Sequence, residues 1–274
     1  MPVLQAIRRY PVKGMKPQQL EAAKVEQRGL AHDRRWLLVD ASGRFISQRE
    51  HARLALMEVD VTASGLRVQG PDVSPLSIKR PSSALPRRTV QIWDDTMEAV
   101  LADPEAHAWF SEVLGADCQL VYMDAAAVRP VDAAYAVRPS NEVSFADGYP
   151  VLLTTEASLA DLNARLDTPV PMNRFRPNLV VADCAPFEED TWQQIRIGEV
   201  LFHGVKPCAR CVVTTIDQAS GVAGKEPLRT LATFRKQGSK VYFGQNLIPD
   251  APGTIRVGDT VEVVTRRERM VFEG

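Results

Sequence analysis

Cysteine is scarce in this chain. Only Cys118, Cys184, Cys208 and Cys211 occur in 274 residues, too few and too scattered for a disulfide framework. A reduced, cytoplasmic protein is expected. Neither sign of charge dominates: the formal net charge is −1, so the overall balance recruits neither nucleic acid nor an anionic membrane. No apolar run approaches the roughly 20 residues of a spanning helix. Met1-Pro2-Val3-Leu4-Gln5 lacks the charged and apolar regions of a signal peptide. Neither G-x-G-x-x-G nor G-x-x-x-x-G-K-[ST] is present, which removes the dinucleotide and P-loop readings. His32, His51, His107 and His203 are spread without a metal-ligand spacing, and no paired carboxylates stand out. Ser144, Thr154 and Ser158 have no nucleophile-elbow context, so hydrolase chemistry is unsupported.

What the chain does have is a 45% hydrophobic, 24% charged composition, enough for a sizeable core in one large domain or two ordinary ones. Glycine and proline, at 16 and 19, favour strands and turns over a helical bundle. Residues 4–10 read as a strand stopped by Pro11. Residues 36–40 and 44–47 flank Ala41-Ser42-Gly43, a hairpin signal. Further strands are expected at 54–61, 65–68, 89–93 and 178–183, and the second half begins around 120–123, where the sequence changes from strand-rich to mixed. A hairpin is expected over 195–205 around Gly198. Asp103, Pro104 and the stripe Trp109, Phe110, Val113, Leu114 before Gly115 predict a helix. Thr155 caps a second, with Leu159, Leu162 and Leu166 on one face. A third helix is expected over 227–236, a strand over 211–216, and a hairpin-like strand pair over 255–263. The class is α+β around a β-barrel or strongly bent sheet.

Lys206-Pro207-Cys208-Ala209-Arg210-Cys211 is the most informative segment. A zinc site lacks its second cysteine pair. A thioredoxin-like pair would open a helix after a strand, whereas a strand is expected after Cys211. Two buried small residues remain an equal alternative. Lys206 and Arg210 would favour a thiolate, the form that binds a soft metal. Three other segments put cations at strand ends: Tyr10-Pro11-Val12-Lys13-Gly14, His32-Asp33-Arg34-Arg35-Trp36 and Arg174-Phe175-Arg176-Pro177-Asn178. Singly each reads as a solvated strand end. Together they offer cations that converge on one anionic ligand.

Eight segments follow one another in order: Tyr-Pro-Val-Lys at 10–13, Asp-Arg at 33–34, Ser-Phe-Ala-Asp-Gly-Tyr-Pro at 144–150, Glu-Ala-Ser-Leu at 156–159, Phe-Arg-Pro-Asn at 175–178, Lys-Pro-Cys-Ala-Arg-Cys at 206–211, Thr-Thr-Ile-Asp at 214–217 and Phe-Gly-Gln-Asn at 243–246. Over essentially its whole length the chain resembles the MOSC-domain proteins, in particular the mitochondrial amidoxime-reducing components and their bacterial relatives. The resemblance implies a β-barrel-centred MOSC domain over 121–274. Residues 1–120 would form a smaller, strand-rich N-terminal region, of which 1–35 pack with the barrel. It implies a molybdenum cofactor, a molybdopterin, whose metal is ligated by Cys211. Cofactor contacts carry over to Lys13, Arg34, Arg176 and Asn178, with main-chain help near Asp147, Gly148 and Ala209. Gly14 and Ala209 stand where relatives commonly carry serine, so those contacts would be main-chain here. Pyridoxal phosphate is not expected.

The activity implied is reduction of N-hydroxylated compounds, such as hydroxylaminopurines, amidoximes and hydroxylamines, a detoxifying reaction. Bacterial relatives often continue into a plant-type ferredoxin domain with C-x₄-C-x₂-C. That run is missing up to Gly274, so an external electron-transfer protein of ferredoxin or flavoprotein type is expected. No nucleic-acid or membrane partner is implied. A cofactor carrier or sulfur-delivery protein is the alternative, and a plain zinc or thiol-redox protein the third.

Overall fold

Residues 1–272 are described by a computed structural model. Val3–Arg9 forms β1. Leu4 and Ile7 are both buried in one core although three residues apart, and simple alternation would put them on opposite faces. A register shift between Leu4 and Ala6 against the neighbouring strand resolves this, as a bulge does. Pro11 follows and ends the pairing.

The chain continues through β2 (Gln18–Leu20), β3 (Ala22–Glu26), β4 (Gly29–Leu30) and β5 (Trp36–Val39). Then come β6 (Glu58–Val61), β7 (Gly65–Gln69), β8 (Leu76–Lys79), β9 (Arg87–Ile92) and β10 (Asp95–Leu101). Helix α1 (Pro104–Leu114) leads to β11 (Gln119–Tyr122) and β12 (Val151–Thr155). Helix α2 (Glu156–Asn163) crosses to β13 (Leu179–Ala182), and β14 (Trp192–Ile197) turns at Gly198 into β15 (Val200–Ala209). The short α3 (Leu228–Leu231), β16 (Lys236–Gln237), β17 (Lys240–Pro249), β18 (Gly253–Arg256) and β19 (Val261–Arg266) complete it.

The main sheet has nine strands, in the order β19-β14-β15-β17-β12-β13-β1-β2, with β16 beside β17. The far edge of β1 is shared. Residues 7–9 pair with β2, while Leu4 exchanges hydrogen bonds with Asp259 and Gly258 at 2.9 and 2.8 Å, and Val3 bridges Thr260. The sheet thus bends until its ends touch, but an isolated bridge rather than a ladder spans the seam. The expected barrel is an open, strongly bent sheet within an α+β fold. A second sheet has the order β5-β11-β10-β9, a three-stranded sheet β6-β7-β8 lies between β5 and β9 in the chain, and β3, paired with β4, joins β18 far along the chain.

Both helical starts appear where expected. Thr155 Oγ1 accepts from Ser158 N, whereas Asp103 makes no side-chain cap bond. Five expectations are corrected. Residues 211–216 are not a strand. Val212–Thr215 is a 3₁₀ turn in which the Thr214 and Thr215 hydroxyls donate to the Cys211 and Val212 carbonyls at 3.0 and 2.8 Å, the local bonding that competes with sheet. The run 54–61 opens as a 3₁₀ turn, Ala52–Leu56, because Leu54, Ala55 and Met57 are all fully buried and cannot alternate. The third helix closes after one turn at Leu231, freeing Arg235 to bond Asp190 in the core at 2.7 and 3.0 Å. The strands of 255–263 do not pair with each other. A turn at Gly258 (φ 90°) sends β18 to β3 and β19 to β14. The hairpin arm after Gly43 is reduced to single bridges at Arg44 and Phe45.

Candidate functional site

Strands β12 and β13 run parallel, so the segments preceding them, with Asp147-Gly148 and Arg176-Pro177-Asn178, reach the same end of the sheet. Strand β1 is antiparallel to β13, and its exit delivers Tyr10 to Gly14 there. At this junction Tyr10 is fully buried. Its ring lies between the guanidiniums of Arg34 and Arg176, 4.3 and 4.4 Å from the centroid, and its hydroxyl donates to the Pro177 carbonyl at 3.1 Å. Asp33, wholly buried, is the counter-charge. It accepts from Tyr10 N at 2.8 Å, Asn178 Nδ2 at 3.0 Å and Arg34 Nη1 at 2.6 Å.

Asn178 also accepts from Arg34 Nη1 at 2.9 Å and Leu152 N at 3.2 Å, and donates to the Arg8 carbonyl at 3.1 Å. Its amide is saturated within the protein, so it acts on the cleft by aiming Arg34. Arg34 and Arg176 both have left-handed backbone, φ 45° and 54°, costly for such residues and held by these contacts. Arg176 Nη2 donates to the Met15 carbonyl at 2.7 Å, and Nη1 to Gln218 Oε1 at 3.2 Å. Gln218 forms a buried reciprocal amide pair with Gln48, which in turn donates to the Gly14 carbonyl at 2.5 Å.

Lys13 donates to Asp147 at 2.5 Å. Burial pushes the Lys13 ammonium below its ordinary range, with Asp147 opposing that shift. Desolvation raises the Asp147 carboxyl, but the nearby Lys13 and Arg34 outweigh it and hold it well below the usual carboxylate range. Burial lowers Arg176 to about 10, which leaves it charged at neutral pH.

The cysteines are differentiated. Arg210 Nη1 donates to Cys208 Sγ at 2.8 Å, and burial pushes that thiol up. Arg210 Nη2 ties the segment to the Phe175 carbonyl at 2.7 Å. Cys211 is exposed. The cation expected to serve the pair is thus spent on Cys208, and Lys206 lies over the Tyr135 ring, 3.9 Å from its centroid.

One cleft is lined by Lys13, Gly14, Arg34, Asp147, Gly148, Arg176, Asn178, Ala209 and Cys211. All nine residues singled out in the sequence meet there, although 198 positions separate the first from the last. Gly14 has φ 89°, a backbone that favours glycine. None of the four histidines lines the cleft. Phe45, Arg49, Trp93 and Tyr149 do, and sequence reading missed them. The first three come from or beside the second sheet and carry no shared motif; only the tryptophan at a hairpin turn was a signal.

The donor set fits an anionic cofactor that brings most of its own metal ligands. Among the described residues no group of three or more His, Cys, Asp and Glu could hold a metal ion, so a metal held in this cleft would have to bring most of its ligands with it. The buried Lys13 and the half-buried Arg34 and Arg176 face the cleft, and Arg210 Nε is buried without a partner.

Comparison with known proteins agrees. The MOSC domain model matches residues 140–262, and the MOSC N-terminal beta barrel domain model matches 1–117. The mitochondrial amidoxime-reducing component 1 of Danio rerio is 34% identical over 269 residues, spanning 93% of this chain and 83% of its own. That of Homo sapiens is 32% identical over 92% of this chain and 80% of its own. A molybdenum cofactor sulfurase of Oryza sativa is 31% identical over 88% of this chain, which covers only 32% of that protein. The chain therefore belongs to the MOSC-domain family that includes the mitochondrial amidoxime-reducing components.

Proposed function

We propose that this protein is a molybdenum-cofactor-dependent reductase of N-hydroxylated compounds, detoxifying hydroxylaminopurines, amidoximes or hydroxylamines in a reduced, cytoplasmic setting. Electrons come from an external ferredoxin or flavoprotein. The observation that carries the reading is the meeting of an exposed thiol, Cys211, with the buried Lys13 and the half-buried Arg34 and Arg176 in one cleft. Cys211 would ligate the molybdenum. Lys13, Arg34 and Arg176 would hold the phosphate and the polar pterin by charge-assisted bonds. Asp33 and Asn178 aim Arg34, Asp147 holds Lys13, and Gly14, Gly148 and Ala209 offer main-chain groups.

Bound there, the cofactor supplies the two-electron chemistry that no side chain of this cleft provides. The residues present support binding rather than acid–base work. The one carboxylate at the rim, Asp147, is held ionised by Lys13, and no histidine is at hand. The net reaction consumes two electrons and two protons and releases the parent amine or amidine and water.

Molybdenum-loaded protein with a reduced viologen dye should convert benzamidoxime to benzamidine, and NADH alone should not replace the dye. The second reading, a cofactor carrier, draws on the exposure of Cys211 and on the sulfurase relative. Loaded, dye-reducible protein that leaves every N-hydroxylated probe untouched, yet passes its cofactor to an apo-enzyme, would establish the carrier instead.

A further inference from the structure

Ile92 pairs with Asp95 across the β9–β10 ladder, so Trp93 and Asp94 are the two residues of a hairpin turn. Trp93 has φ 56°. That is the left-handed region where such turns use glycine or asparagine, because a bulky side chain there crowds its own backbone. Folding alone would be better served by glycine. Nor is the ring rewarded by burial: Trp93 is 43% exposed.

Its surface belongs to the cleft that also holds Cys211. The indole is held upright at the rim by three contacts. The Phe45 ring lies 5.1 Å away at 60°, the Arg49 guanidinium sits 4.5 Å from the ring centroid, and Nε1 donates to Asp147 at 3.4 Å. That carboxylate is the one that receives Lys13. A residue that breaks a local rule without a packing gain marks a functional position.

We propose that Trp93 is the substrate-positioning residue of the cleft: its exposed indole surface stacks on a planar conjugated group of the N-hydroxylated substrate, selecting flat unsaturated compounds over aliphatic ones. This assignment rests on the reductase reading. Stacking suits the task because it needs no particular hydrogen-bond pattern, and a ring fixed by Phe45 and Arg49 loses little freedom when a second ring settles on it. The selectivity belongs to the second sheet, whereas the cations and the thiol come from segments around the main sheet.

The test uses dye-reduced holoenzyme with benzamidoxime and hydroxylamine as probes, in the wild type, Trp93→Gly and Trp93→Phe. Glycine accepts the backbone of position 93, so Trp93→Gly is expected to fold and keep its cofactor, checked by circular dichroism and molybdenum content. In Trp93→Gly the ratio of kcat/KM for benzamidoxime over hydroxylamine should fall about tenfold, through KM, the magnitude of one lost stacking contact. Trp93→Phe should restore most of it. Independently of turnover, benzamidoxime added to oxidised, donor-free holoenzyme should quench tryptophan emission, and Trp93→Phe should abolish that quenching. A ratio unchanged in Trp93→Gly, or quenching that persists in Trp93→Phe, overturns the assignment. No turnover of either probe by the wild type overturns the reductase reading instead, and the quenching measurement then still decides the role of Trp93.

Discussion

Replacing Asp33 by asparagine tests the electrostatic frame of the cleft. Asp33 is wholly buried and takes three hydrogen bonds, from Tyr10 N, Asn178 Nδ2 and Arg34 Nη1. It is also the carboxylate in salt-bridge contact with Arg34, whose side chain is only 12% exposed. An asparagine carbonyl in place of Oδ1 would keep the bonds from both Tyr10 N and Asn178 Nδ2. Its amide nitrogen, in place of Oδ2, would face the donor Arg34 Nη1, and Arg34 would lose its ion-pair partner beside Arg176. Breaking a buried pair by removing one partner costs about 3–5 kcal/mol. Two of the three bonds survive, so the low end, about 3 kcal/mol, is expected, a fall in Tm of roughly 6–12 °C for a chain of this size. Urea denaturation of cofactor-free protein measures it. The double variant Asp33→Asn with Arg34→Met removes the stranded charge as well, and should be destabilised by at least about 1 kcal/mol less than the sum of the single changes. Asp33→Asn as stable as the wild type, or strictly additive costs in the double variant, would refute the reasoning.

Cys211→Ala should abolish molybdenum-dependent turnover, whereas Cys208→Ala, which loses only a bond from Arg210, should retain most of it; dye-linked assays of both separate the two thiols. Arg176→Ala should lower pterin content in the purified protein, because a charge-assisted bond to an anion contributes about 1.5–3 kcal/mol, and unchanged pterin fluorescence would remove Arg176 from the site. Glu189, fully buried, provides a test by pH. Its carboxyl and the Thr155 and Ser158 hydroxyls make a ring of contacts at 3.1, 2.7 and 2.6 Å, which two hydroxyl hydrogens cannot serve unless the carboxyl is protonated. Burial, and then Asp190, raises that carboxyl from 4.5 to about 7. The folded state keeps a proton that the unfolded chain releases between those values. Stability from this group is therefore full below pH 4.5, falls as pH rises, and is about 3 kcal/mol lower above pH 7. Thermal melts of Glu189→Gln should gain on the wild type from pH 5 to pH 8, and parallel curves would contradict the protonated reading.

Local chemistry settled the elements whose causes lie within a few residues. Thr155 beginning α2, Pro104 and Gly115 bounding α1, and Gly198 turning β14 into β15 are of this kind. The ordered segments likewise named Lys13, Arg34, Arg176 and Cys211 without any knowledge of their contacts. What sequence could not decide was whatever depends on partners far along the chain. Asp33 meets Asn178 across 145 positions and Lys13 meets Asp147 across 134, so the saturation of Asn178 and the downward shift of the Asp147 carboxyl exist only in the folded protein. The β-branched run after Cys211 turned back on its own carbonyls through threonine hydroxyls instead of joining a ladder. The strands near the C-terminus went to β3 and β14, partners that no local pattern names. Tertiary structure alone gave Arg210 to Cys208, left Cys211 exposed, and set Trp93 at the mouth of the cleft. Side-chain type and spacing govern bonds within a turn of chain, whereas charge, burial and exposure at a site are sums over everything the fold brings near it.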